Sequence, residues 1–294
     1  MSGPQGCKHV FSQMLSSLTD GLLLGFVYGV AAMGLTLIWG VMSVINLAHG
    51  PVIALGMFGT YLLFTHLGVN PYLGLVVVAV FGLALGFVIY GAAVHRVINA
   101  PHLSSLLATF SVNMIIIGLG TAIFSTSPQN IDFPLGSVEI GFLTLPVTRL
   151  LATVGAVLFT AALYLFLYFT RPGKAIRAVA NNRRAAELMG IPSSLVLALS
   201  FGLGTMLAAV AGGLISTFFP FTILSGGPYE LKSFVICVLG GLGNPLGALL
   251  GGLILGGLEG LIPAFMPVSW VPVVEFGLFV LVLLLRPSGL LGAK

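Results

Sequence analysis

The 294-residue chain is 58% hydrophobic and only 6% charged, with 11 Lys and Arg against 7 Asp and Glu. An ordinary soluble domain carries about a quarter charged residues, so a water-soluble enzyme is excluded. A mean hydropathy of +1.15, with 40 glycines and 21 phenylalanines, describes membrane helices in which small residues let backbones approach and large ones fill the gaps.

A hydrocarbon core of about 30 Å takes about 20 helical residues. Cutting the chain at charges, prolines and polar clusters predicts spans near 20–40, 45–65, 73–94, 104–124, 147–169, 194–219 and 270–286, with a broken pair at 231–243 and 246–262. The expected fold class is all-α: a polytopic transmembrane bundle of about 8 to 9 segments, some broken or re-entrant, forming one domain over residues 1–294. The first stretch, Gly21 to Gly40, has no charge and no small-residue cleavage site after it, so it reads as a span and not a signal peptide.

Arg171, Lys174, Arg177, Arg183 and Arg184 face a single acid, Glu187, between Arg171 and Pro192. This stretch carries the whole net charge. Each cation would cost about 2.5 to 3.5 kcal/mol at the bilayer centre, so the loop is aqueous, and the positive-inside rule makes it cytoplasmic, together with the loop holding His95, Arg96 and His102. Residues 125–146, with Asp132 and Glu139, and the loop Pro220 to Glu230 then fall outside, and the tail with Arg286 and Lys294 falls inside. Carrying the alternation backward puts the N-terminus outside, whereas Lys8 prefers the cytoplasm.

Two interruptions stand out. In Val44-Ile-Asn46-Leu-Ala-His49-Gly50-Pro51, Asn46 and His49 are three apart, which would place them on one helix face. Gly50 and Pro51 loosen the helix, so that a discontinuous segment could present backbone dipoles and an imidazole to a cavity. Capping of an interfacial helix break explains the pair equally well. The second interruption, Gly240-Gly-Leu-Gly243-Asn244-Pro245-Leu-Gly247, again joins Asn, Pro and Gly, while Gly247, Gly251, Gly252, Gly256 and Gly257 read as packing glycines.

Between Arg171 and Pro192 the Ala-rich sequence predicts short helix outside the bilayer. Lys174, Arg177, Asn181 and Arg184 fall within an arc of about 80°, away from Ile176, Val179 and Ala186. A solvated connector and a docking helix for another protein fit this pattern equally.

No G-x-x-x-x-G-K-[ST] loop exists to cradle a nucleotide phosphate, and Leu224-Ser-Gly-Gly227 is a coincidental match to an ATPase signature peptide. Glu259 and Glu275 lie within about two turns of predicted outer ends, which makes them interfacial. Cys7 and Cys237 form neither a disulfide framework nor a metal site, and no catalytic set is present. Nucleic acid is no partner, because the basic charge sits in one membrane-adjacent loop.

Five stretches taken in order are specific: Gly34 to Gly50 (GLTLIWGVMSVINLAHG), Gly173 to Ala180 (GKAIRAVA), Ala185 to Ile191 (AAELMGI), Leu231 to Ala248 (LKSFVICVLGGLGNPLGA) and Arg286 to Gly292 (RPSGLLG). By these the chain resembles the permease subunits of branched-chain amino-acid ABC importers, of the "H" type, from about Leu22 to Gly292. The resemblance implies a multi-pass inner-membrane protein that pairs with a second permease and two ATPase subunits and receives substrate from an extracytoplasmic binding protein. It implies no cofactor on this chain, ATP and Mg being used by the ATPases. It also implies a cytoplasmic docking helix, to which Arg177, Ala185, Ala186, Glu187 and Gly190 are assigned. Pro51 departs from the pattern, since similar proteins commonly carry an acidic residue after His-Gly.

The expected mechanism is alternating access around Asn46, His49, Gly50 and Pro51 in one half and Gly243, Asn244 and Pro245 in the other. A stand-alone secondary transporter or channel is the alternative, and it would take up solute without any ATPase.

Overall fold

The computed structural model describes residues 4–140, 143–286 and 288–292, and the side chains of these except 4–13, 102, 140 and 143. The expectations resting on the side chains of Cys7, Lys8 and His102 and on Lys294 lie outside the described residues. In chain order the elements are α1 (Pro4–Met42), α2 (His49–Leu67) and α3 (Pro71–Ile89), which continues through a π turn at Tyr90–Val94 into α4 (His95–Val97). Then come α5 (His102–Phe124), the hairpin β1 (Ser137–Ile140) and β2 (Leu143–Pro146), α6 (Val147–Phe169), α7 (Arg171–Asn181) and α8 (Arg183–Leu188). The chain closes with α9 (Ser193–Ile215), α10 (Gly226–Gly240), α11 (Pro245–Leu261) and α12 (Val271–Leu285).

Among the described residues eight stretches are long and apolar enough to cross a membrane, carried by α1, α2, α3 with α4, α5, α6, α9, α11 and α12. This is the polytopic helical bundle that the hydropathy predicts. At 15 residues, α10 reaches only about 22 Å and is the half-length member of the expected broken pair.

The centre is built from α1 and α9, whose spans are mostly buried, whereas α5 and α12 are mostly exposed at the periphery. Glycine makes the central crossings possible. Along the antiparallel α1–α11 pair, Gly21 packs on Gly256 and Gly260, and a Cβ on Gly25 would stand 2.9 Å from the Leu253 Cα. Likewise α9 meets α1 at Gly34 and Gly204, α2 at Ile53 and Gly212, and α3 at Gly86 and Gly202. Close backbones replace the hydrophobic driving force that lipid does not supply between helices. The packing reading of Gly252 and Gly256 is thereby confirmed.

The helices pair into two ends. At the basic end, Arg183 donates to Asn99 across 3.4 Å, joining the α4–α5 turn to α8. There too the Leu290 and Leu291 N–H groups donate to the carbonyls of Leu239 and Gly240 at 2.9 and 3.1 Å, which closes the C-terminus of α10. At the far end Arg149 pairs with Asp20 and lies over the rings of Phe218 and Phe219. Gln129 there forms a β-bridge with Phe221.

Three expectations change. The 125–146 connector contains an antiparallel hairpin, Ser137 opposite Pro146, which the helical reading did not foresee. The basic segment is not one helix: Asn182 takes extended angles and its side chain accepts from the Ala185 N–H, capping α8. Arg184 therefore does not continue the face of Lys174, Arg177 and Asn181. Glu230 stands in α10 and not in an outer loop.

Candidate functional site

The break after α1 is where the bundle becomes polar in its interior. Residues 43–48 are non-helical, and Ser43 takes a left-handed φ of 53°. The linker is held to α5: the Thr109 hydroxyl donates to the Ile45 carbonyl at 3.1 Å, and the Asn113 amide donates to the Leu47 carbonyl at 2.7 Å. Sequence reading did not single out Thr109 or Asn113, since Thr and Asn inside an apolar run are unremarkable until their partners are known.

Asn46 and His49 are both buried, but they do not share a helix face. Asn46 precedes α2, and its carboxamide accepts the Ala48 N–H at 3.1 Å in a local turn. His49 opens α2, and its Nε2 is 3.0 Å from the Ala31 carbonyl of α1. Because a carbonyl only accepts, Nε2 carries the proton and Nδ1 keeps its lone pair. Nδ1 and the Asn46 amide nitrogen have no hydrogen-bond partner among the described residues. Ala31 is eleven residues from Met42, about 16 Å along the helix at 1.5 Å per residue, so His49 stands deep in the bundle.

At this depth two helix N-termini meet. A Cβ on Gly50 would lie 2.8 Å from the Gly226 carbonyl, so the first turns of α2 and α10 touch backbone to backbone. From α10, the Glu230 carboxylate lies against Gly50, its Oε2 2.5 Å from where a Cβ on Gly50 would stand. The positive ends of two helices and one carboxylate thus converge beside His49. Pro51 fits the first turn of α2, where no intrahelical donor is needed.

The second predicted group lies elsewhere. Gly243, Asn244 and Pro245 form the α10–α11 turn at the basic end, where the Asn244 side chain accepts from Leu246 and Gly247 at 3.1 and 3.2 Å and donates to the Leu291 carbonyl at 3.0 Å. Gly243 carries a φ of 84°, which a side chain tolerates poorly. A cavity of about 90 Å³ between α1, α6, α7 and α11 brings Asn244 and Pro245 together with Arg177. Arg177 donates to the Leu167 carbonyl at 3.1 Å and lies 4.3 Å from the Tyr168 ring centroid.

Around α8, Ala185, Glu187, Leu188, Met189 and Gly190 are exposed, whereas Ala186 is buried against the bundle. The Ser193 hydroxyl, and then Arg183, hold the Glu187 carboxyl below the usual carboxylate range. Gly190 has a φ of 82°.

Two cavities flank the break. One, of about 460 Å³ at the basic end, is lined by Trp39, Ser43, Ile45, Leu103, Ser105 and Leu106. The other, of about 360 Å³ toward the far end, includes Tyr28, Phe219, Tyr229, Lys232 and Glu259 in its lining. Among the described residues no group of His, Cys, Asp and Glu could hold a metal ion.

Residues 17–283 match the family model described as the branched-chain amino acid transport system permease component. The chain belongs to this family. It is accordingly a permease subunit of the ABC importer type and a multi-pass membrane protein. The permease is 33% identical over 302 residues, 96% of either chain, to the high-affinity branched-chain amino acid transport system permease protein LivH of Salmonella typhimurium. It is 32% identical over 95% of either chain to the corresponding protein BraD of Pseudomonas aeruginosa. The probable branched-chain amino acid transport permease protein LivH of Methanocaldococcus jannaschii is 30% identical over 89% of this permease and 87% of its own length.

Proposed function

We propose that this permease imports branched-chain amino acids, or close relatives of them, by alternating access past the Asn46–Pro51 break. The observation that carries the reading is the meeting of the α2 and α10 N-termini at Gly50 and Gly226, deep in the bundle and between two cavities. A zwitterion cannot cross lipid with both charges bare. Helix dipoles, His49 and Asn46 offer it partners without fixing it tightly, and weak binding suits a pathway that must also release.

The power comes from outside the chain. A second permease, two ATPase subunits and an extracytoplasmic binding protein complete the assembly, with the basic end in the cytoplasm. The exposed Leu188 at the end of α8 and Met189 just after it, at 88% and 83% accessibility, are apolar side chains that bulk solvent does not favour, so α7 and α8 form the docking segment. Arg177, in contact with the cavity that holds Asn244 and Pro245, passes movement of α7 to the α10–α11 turn. Ala186 supports α8 from inside, while Ala185, Glu187 and Gly190 face the partner.

The test is uptake of radiolabelled leucine by cells whose own copy is replaced with variants. Leu188→Glu with Met189→Glu is expected to abolish uptake and copurification of the ATPase at unchanged permease levels. Retained copurification would remove the docking assignment. ATP-independent uptake by the purified permease in liposomes would favour a stand-alone carrier instead.

A further inference from the structure

The far-end cavity carries more charge than a lipid-facing pocket needs. Lys232 of α10 lies 2.6 Å from Glu259 of α11 and 3.5 Å from Glu275 of α12, so one ammonium serves two carboxylates. The two contacts differ. Glu259 is partly accessible and lines the cavity, whereas Glu275 is buried behind it and its Oε1 has no hydrogen bond. Tyr28 lines the cavity together with Glu259, Lys232 stands 4.9 Å from the Tyr28 ring centroid, and the Tyr28 and Tyr229 rings are 6.0 Å apart. Phe219 completes an aromatic wall.

A plain clamp between three helices would pair each charge once and would not open onto a cavity. This set is one cation short, and the open member is a carboxylate beside aromatic faces, the combination that receives an ammonium ion. We infer that the cavity is a receiving site for the ammonium group of the transported solute, which takes Glu259 while Lys232 moves to Glu275. The wall formed by Ser225, Pro228 and Tyr229 is the N-cap and first turn of α10, whose positive end suits the carboxylate of the same molecule. About 360 Å³ lies at the small end of ligand pockets. From Tyr28 to Ala31, the partner of His49, is about one helical turn, which places the cavity one turn of α1 from the break. The inference rests on the importer reading and makes it narrower: amines and amino acids enter here, and neutral solutes do not.

The experiment is photolabelling of the assembled transporter in membranes with the diazirine analogue of leucine, followed by peptide mapping. Adducts are expected on peptides carrying Tyr28, Phe219 or Tyr229. Isopentylamine in excess is expected to suppress them and isovalerate is not. Glu259→Gln is expected to lower labelling about tenfold at unchanged membrane levels, and Lys232→Arg to retain it. Adducts confined to other segments, or equal protection by the amine and the acid, overturn the inference, and the protection comparison needs no variant. Leucine uptake is measured alongside. Uptake without labelling at this cavity refutes the site alone, whereas labelling without uptake refutes the importer reading and leaves the site.

Discussion

Replacing Gly50 with Ala tests the convergence of the two half-helix N-termini. The new Cβ would stand 2.8 Å from the Gly226 carbonyl oxygen and 3.0 Å from the Glu230 Cβ, where ordinary contact begins at 3.4 Å. The α2 and α10 backbones would have to part by about half an ångström, and the Glu230 carboxylate that lies against Gly50 would be pushed aside. Overpacking of this kind costs about 1–3 kcal/mol. At about 2–4 °C per kcal/mol for a chain of this size the melting temperature should fall by about 2 to 12 °C. Gly59→Ala is the control. It lies in the same helix, and its Cβ would meet only Val78 at 3.4 Å, so the gain in helix propensity, up to about 1 kcal/mol, should leave it neutral or slightly more stable. Both are read by thermal unfolding of the purified permease in one detergent. If Gly50→Ala melts with or above Gly59→Ala, the N-termini do not touch as described.

Asn244→Ala removes two N–H partners from the start of α11 and the tie to Leu291. It should cost about 1–2 kcal/mol by thermal unfolding, with Asn244→Asp milder because the cap survives. Lys232→Met leaves Glu259 and Glu275 facing each other without a cation and should cost about 3 kcal/mol, read in the same assay. Glu187 is held below the unfolded carboxylate value of about 4.3 by Ser193 and Arg183. The stability it lends is therefore present above that value and lost as pH falls through the lower folded one. Hydrogen exchange of residues 183–192 should show protection disappearing on acidification, and at a higher pH in Ser193→Ala. An unchanged midpoint would refute the Ser193 contact.

Hydropathy made the spans legible because lipid imposes one rule along the whole chain, that backbone polar groups pair within the helix. Glycines also announced packing, although which partner each meets was not visible: Gly25 finds Leu253 only once the fold returns α11 alongside α1. The site was legible in part. Asn46 and His49 stood out as polar residues in an apolar run, but the spacing of three suggested a shared helix face that the turn at 43–48 removes. Glu230 and Lys232 were hidden by their position near a predicted loop. Nothing local tells that α10 starts deep in the bundle and carries both acid and base inward. The hairpin at 137–146 escaped because short strands outside a membrane leave no hydropathy signal.

The glycine contact between α1 and α11 limits how this molecule can move. At Gly21, Gly25, Gly252, Gly256 and Gly260 the two helices are in backbone contact, so at these positions no side-chain rotamer lies between them to let one slide past the other. The two helices travel as a single plate, and α9 is fastened to it where Gly34 meets Gly204. A transport cycle must then swing the peripheral α5 and α12 about that plate, with the 43–48 linker, tied to α5 through Thr109 and Asn113, as the cord that carries the swing inward to His49.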